Sequence, residues 1–198
     1  MQNLTLISTV TLIHLLAVIS PGPDFIMAVR NSLTYSRRTG MWTAVGFGLG
    51  ISVHIFYCLA GLALIIAKSI LVFNIIKFFG VGCLIYVGLK CLFSQSGNVE
   101  IGENAKKSDI SAWAAVWCGF LTNTLNPKAT LLFLSLFTMV IQPGTSTWIL
   151  AILCGIMIAN TTLWFMLVSV FLTQKRVRVV FEKFQSKFNK IFGSYLKS

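Results

Sequence analysis

The sequence predicts an all-helical integral membrane protein: five clear transmembrane helices in two inverted three-helix repeats, with the first and fourth helices broken. Three observations carry that fold class. Hydrophobic residues make up 56% of the 198-residue chain and charged ones only 11%, against roughly 25% charged in a soluble domain. Five apolar runs, at 4–29, 41–67, 69–89, 113–141 and 145–173, each reach the length of about 20 residues that a spanning helix needs. Two of those runs carry matching interruptions, Ser20-Pro21-Gly22-Pro23-Asp24 and Asn126-Pro127-Lys128. Broken helices in corresponding places of two halves point to a transporter's binding site.

The first run follows Met1-Gln2-Asn3, which lacks the basic stretch of a secretory signal, so the run is expected to remain as a span. In its break, Pro21 and Pro23 donate no backbone hydrogen bond, and the carbonyls of Ala17 and Ile19 lose their usual partners. Inside a bilayer they need other donors, which an ammonium group, a cation or water would supply. Ser20 and Pro21 read as the N-cap and first residue of the half-helix that follows. Asp24 then sits in its first turn, where the helix dipole favours a carboxylate.

The second run is glycine-rich, with Gly40, Gly46, Gly48, Gly50 and Gly61. Gly46 and Gly50 form a GxxxG pair and His54 continues the same face, the pattern of close helix packing through small residues. The third run holds Lys77, expected to snorkel to the outer interface. Residues 94–111 are the only long polar stretch between runs and read as a cytoplasmic linker. It divides a first repeat (1–93) from a second (112–198), and an odd number of spans per half inverts one against the other.

The fourth run repeats the break with opposite charge. Asn126 and Pro127 read as N-cap and first residue, and Pro127 frees the Asn123 carbonyl. Lys128 falls in the first turn, where the dipole disfavours a cation, unless an anion is shared between it and the exposed amides. One break therefore suits an ammonium and the other a carboxylate, and an amino-acid zwitterion presents both. The fifth run is uninterrupted. Beyond it Val177, Phe181, Phe184, Phe188, Ile191 and Phe192 recur every three or four residues among lysines and arginines, as in a basic amphipathic helix lying in the interface. Residues 191–196 are too few to cross about 30 Å of hydrocarbon. The second repeat is thus expected to be truncated, with a cytoplasmic carboxyl end and a lipid-exposed groove that a neighbouring protomer in a homodimer would fill.

The net charge of +11 does not indicate nucleic acid, because of where the charge lies. Lysines and arginines cluster at 30, 37 and 38, at 90, 106 and 107, and from 175 to 190, after the odd-numbered runs. That positive-inside pattern puts the amino terminus outside and the odd-numbered loops in the cytoplasm of a bacterial inner membrane.

Burying Asp24 and Lys128 costs on the order of 2.5–3.5 kcal/mol each on insertion scales, so the pair needs a reason. It either locks the bundle by pairing across the repeats or serves substrate and protons, and the two are compatible if the pair opens during transport. His14 and His54 are candidate proton carriers, since histidine titrates near neutral pH, or else hydrogen-bonded buried histidines. The cysteines at 58, 83, 91, 118 and 154 lack CxxC spacing and read as small apolar packers. No catalytic, metal-ligand or cofactor pattern stands out, which argues against an enzyme. A non-transporting membrane protein and, more weakly, a channel are the alternatives to a transporter.

The stretch from His14 through Ser20-Pro21-Gly22-Pro23-Asp24 to Phe25 is similar to the first-span signature of the LysE/RhtB amino-acid exporters, and most similar to the threonine and homoserine efflux proteins. Gly40, Gly46, Gly50, His54 and Gly61 resemble that family's second span, Gly80, Tyr86 and Gly88 its third, and Asn123 with Asn126-Pro127-Lys128 its fourth. The resemblance covers about residues 5–190. It implies an inner-membrane exporter of small neutral amino acids or their derivatives, driven by proton exchange, with Pro21, Gly22, Pro23, Asp24, Asn123, Asn126, Pro127 and Lys128 along the substrate pathway. Family members carry a glycine-rich sixth span after the basic stretch, whereas this chain stops at Ser198.

Overall fold

A computed structural model describes residues 2–68, 71, 75, 78, 79, 82, 108–140 and 145–174, and those residues are helix and loop with no strand. The helices are α1 (Gln2–Ile19), α2 (Pro23–Thr34), α3 (Arg37–Lys68), α4 (Ala112–Thr124), α5 (Pro127–Val140) and α6 (Thr147–Leu172). The all-helical membrane class holds. Residues 37–61 of α3 and the 26 residues of α6 are long and apolar enough to cross a membrane. At 1.5 Å per residue each exceeds the roughly 30 Å of a hydrocarbon core. The first run is broken as expected, into α1 and α2, which bend by 55° at the break. The fourth is likewise divided, into the 13 residues of α4 and the 14 of α5.

The restart of α2 lies two residues later than the sequence suggested. Its N-cap is Gly22 and its first residue Pro23, not Ser20 and Pro21. Ser20 is still held by α1: its N–H donates to the Leu16 carbonyl at 3.2 Å and its hydroxyl to the Ala17 carbonyl at 2.7 Å. That hydroxyl satisfies one of the two carbonyls that the prolines orphan. The first bond of α2 then runs from the Ile26 N–H to the Gly22 carbonyl at 3.0 Å. The second break follows expectation: the Asn126 side-chain oxygen accepts from the Lys128 N–H at 3.0 Å, and its carbonyl from the Thr130 N–H at 3.0 Å.

Helix α3 is the hub, packed against α2, α4, α5 and α6. Its glycines decide how closely. A Cβ on Gly46 would lie 2.1 Å from the Val116 carbonyl oxygen, and one on Gly119 would lie 2.1 Å from the Thr43 carbonyl oxygen. The two helices therefore cross backbone to backbone, which only small residues allow. The Gly46–Gly50–His54 face read from the sequence is the face that meets α4, since Gly50 abuts Asn123 and His54 bonds its carbonyl. One apolar cluster, including Val10, Ile51, Phe133, Phe137 and Met157, joins α1, α3, α5 and α6. A second, of Ala28, Ala44, Phe47 and Phe165, joins α2, α3 and α6. Leu12, Leu16, Phe56, Trp113, Trp148, Leu163 and Leu167 point outward, as side chains facing lipid do.

Of the third run, Leu71, Ile75, Phe78, Phe79 and Gly82 are described, and all five are helical. Lys77, Gly80, Tyr86, Gly88, Cys83, Cys91, the linker through residue 107, and the amphipathic stretch at 177–192 lie outside the described residues.

Candidate functional site

The two breaks, about a hundred residues apart in sequence, meet in space. The Lys128 ammonium, in the first turn of α5, reaches the end of α1. It donates to the Ser20 carbonyl at 2.9 Å, to the Ser20 hydroxyl, and to the Pro21 carbonyl at 3.4 Å. This answers the difficulty of a cation at a helix N-terminus: Lys128 crosses to the carbonyl end of a different helix, where the dipole favours it. Gly22 makes room, since a Cβ there would sit 3.2 Å from the Lys128 Cδ.

The opposite ends are joined as well. Asp24, in the first turn of α2, accepts from the Asn123 amide at 2.8 Å, and Asn123 lies in the last turn of α4. So the end of each first half-helix faces the start of the second half of the other broken helix. The second Asp24 oxygen and the Asn123 amide oxygen are buried without a protein partner.

Asn123 is also the node to the second run. The carbonyl freed by Pro127 accepts from the Asn126 N–H at 2.9 Å and lies 3.0 Å from His54 Nε2. With that carbonyl as acceptor, Nε2 carries the proton and Nδ1 is left to face the Tyr57 hydroxyl at 2.7 Å. A chain of polar contacts thus runs from Asp24 through Asn123 and His54 to Tyr57, which is partly exposed. His14 stands apart from it. Both of its ring nitrogens are buried without a protein partner, and its ring meets Phe133 edge-on at 5.6 Å, while His54 stacks on the same Phe133 at 5.5 Å.

These groups surround a cavity of about 30 Å³, lined by His14, Ser20, Gly22, Asp24, Asn123, Asn126, Lys128 and Thr161, with Ile51, Leu132, Phe133 and Phe165 as its apolar wall. That volume holds about two water molecules. The site residues read from the sequence are therefore gathered as follows: Gly22, Asp24, Asn123, Asn126, Lys128 and His14 line the cavity, Pro21, Pro23 and Pro127 shape the breaks, and His54 stands behind Asn123. Sequence reasoning missed Tyr57 and Thr161. Tyr57 is three residues after His54 and so on its face of the helix, a signal that was there to read. Thr161 sits in the run Asn160-Thr161-Thr162, and nothing local says which of the three turns inward. Among the described residues no group of three His, Cys, Asp or Glu side chains is placed to hold a metal ion.

Comparison with known proteins bears on this site. Residues 15–197 match the sequence profile of the LysE type translocators. The uncharacterized membrane protein YrhP of Bacillus subtilis is 30% identical over 186 residues, covering 90% of this chain and 89% of that protein. The threonine efflux protein of Escherichia coli K12 is 29% identical over 167 residues, covering 84% and 81%. That of Salmonella typhimurium is 27% identical over 162 residues, covering 81% and 79%. No solved structure matches. A match along nearly the whole chain means that this protein belongs to the LysE type translocator family, whose members are transporters.

Proposed function

We infer that this chain is an inner-membrane efflux transporter for small neutral amino acids of the threonine or homoserine type, working by proton antiport. One observation carries the reading: an acidic and a basic side chain, each at the start of a half-helix, line one cavity between two broken helices. The relatives named threonine efflux proteins supply the substrate class. In the bound state the substrate ammonium takes the free oxygens of Asp24 and Asn123, and its carboxylate takes Lys128 in exchange for the Ser20 and Pro21 carbonyls. The cavity is too small for an amino acid as it stands, so loading requires the α1–α2 and α4–α5 breaks to part. The crossed contacts, Asp24 to Asn123 and Lys128 to Ser20, are what two inverted repeats about an axis in the membrane plane would produce. His54 serves as the proton carrier through Nδ1 and Tyr57, with the amino terminus outside and the loop at Arg37 cytoplasmic.

The test is counterflow of labelled threonine in proteoliposomes. Asp24→Asn and Lys128→Met are each expected to abolish it while membrane insertion is retained, because each removes a charge that is costly to bury. Wild-type counterflow in either variant overturns the site.

A further inference from the structure

Two of the cavity's polar groups take no part in holding the breaks together. His14, on α1, and Thr161, on α6, are 0% and 1% exposed, and the two ring nitrogens and the hydroxyl have no hydrogen-bond partner in the protein. Both line the cavity. Burying such groups unpaired is costly, and an apolar side chain such as valine at 161 would avoid that cost. Their level in the bundle is set by the helices. His14 lies six residues before Ser20, about 9 Å along α1. Phe133, against which it packs, lies five residues after Lys128, about 7.5 Å along α5. Thr161 is one turn from Met157, which packs in the cluster of Phe133, and one turn from Phe165, which lies in the cluster beside Ala28. This layer is displaced from the backbone of the breaks by about 7.5–9 Å along the helices, farther than a short side chain reaches. His14 and Thr161 nevertheless border the same cavity of about 30 Å³ as Asp24 and Lys128, and its wall is otherwise apolar: Ile51, Leu132, Phe133 and Phe165.

We propose that Thr161 and His14 form the side-chain compartment of the cavity and determine specificity by hydrogen-bonding a polar group on the substrate's side chain. The inference rests on the amino-acid reading above, in which the breaks hold the ammonium and carboxylate. A neutral imidazole offers one donor and one acceptor, and a threonine hydroxyl offers both, so a substrate hydroxyl between them can donate to one and accept from the other. An analogue without that hydroxyl leaves the two groups unpaired as the cavity closes, and a site built this way rejects it far more strongly than an apolar pocket rejects an extra methyl.

The experiment compares counterflow of threonine with that of 2-aminobutyrate and valine in proteoliposomes carrying the full chain. The wild type should prefer threonine. Thr161→Val, which keeps the shape and removes the hydroxyl, should lower the threonine-to-valine ratio at least tenfold, mainly by slowing threonine. Thr161→Ser should keep the ratio, and His14→Phe should lower it in the same direction. If Thr161→Val does not reach the membrane, Thr161→Ala and His14→Leu carry the same comparison. An unchanged ratio, or an equal loss for all three substrates, overturns the proposal. Asp24→Asn separates the two levels. If Asp24→Asn is inactive toward every substrate while Thr161→Val leaves the ratio intact, the zwitterion site stands and the side-chain compartment is wrong. If Asp24→Asn transports like the wild type, the site itself is wrong.

Discussion

Replacing Gly50 with alanine should disable transport without unfolding the protein, and the size of the effect follows from three distances. A Cβ at position 50 would lie 2.7 Å from Asn123 Oδ1, 2.8 Å from its Cβ and 3.1 Å from its Cγ. The amide can rotate away, but the Asn123 Cβ is fixed to the backbone of α4. To restore ordinary contact at 3.4 Å, that carbon must retreat by about 0.6 Å, because a packed interior has no slack to absorb it. Passed on to the amide, the same shift stretches the 2.8 Å bond to Asp24 to about 3.4 Å, beyond the roughly 3.2 Å limit of an N–H···O bond. The 3.0 Å contact between the Asn123 carbonyl and His54 loosens with it. Losing a hydrogen bond to a charged group costs about 1.5–3 kcal/mol, equivalent to roughly a ten- to hundred-fold lower rate. The assay is threonine efflux from preloaded cells, normalised to the amount of protein in the membrane, alongside a melting curve in detergent. Wild-type efflux from Gly50→Ala at normal protein levels would refute the argument that Gly50 positions the site through Asn123.

The glycines where backbone meets backbone behave differently: Gly46→Ala and Gly119→Ala should each destabilise the protein by about 1–3 kcal/mol through overpacking, read as a lower melting temperature. His54→Gln should leave threonine counterflow intact but remove its acceleration by an imposed proton gradient; acceleration equal to the wild type would remove His54 from the proton route. Cysteine labelling in a background without native cysteines should reach position 3 from outside the cell and position 106 only from inside, and labelling of position 106 from outside would invert the topology.

How much of this was legible in the sequence depends on the range over which each signal acts. The breaks, and the asparagine cap of the second, are local signals: a proline removes its own donor and an asparagine caps the turn that follows it. The glycine face of α3 was legible for the same reason, as a four-residue repeat on one helix. The cap of the first break was not, because Ser20 can serve either helix and is used by α1. Nor could the sequence say what Asp24 and Lys128 touch, since their partners lie 99 and 108 residues away. Thr161 was hidden by rotation alone: Thr162, one position on, points instead at Gly48.

The partners found recast the choice between a structural and a functional role for the two charges. Lys128 bonds the end of α1, and Asp24 bonds the end of α4, so each charge holds the first half of the other broken helix in place. In the proposed bound state, a substrate carboxylate would compete with the Ser20 and Pro21 carbonyls for Lys128, and a substrate ammonium would draw on the same Asp24 that holds Asn123. Binding at this cavity would then weaken the contacts that keep it closed. A pair of charges that only locked the bundle would have no reason to leave buried acceptors on Asp24 and Asn123 unfilled. A pair that only bound substrate would have no reason to cross between the two broken helices. Having both features is what an opening gated by its own ligand requires.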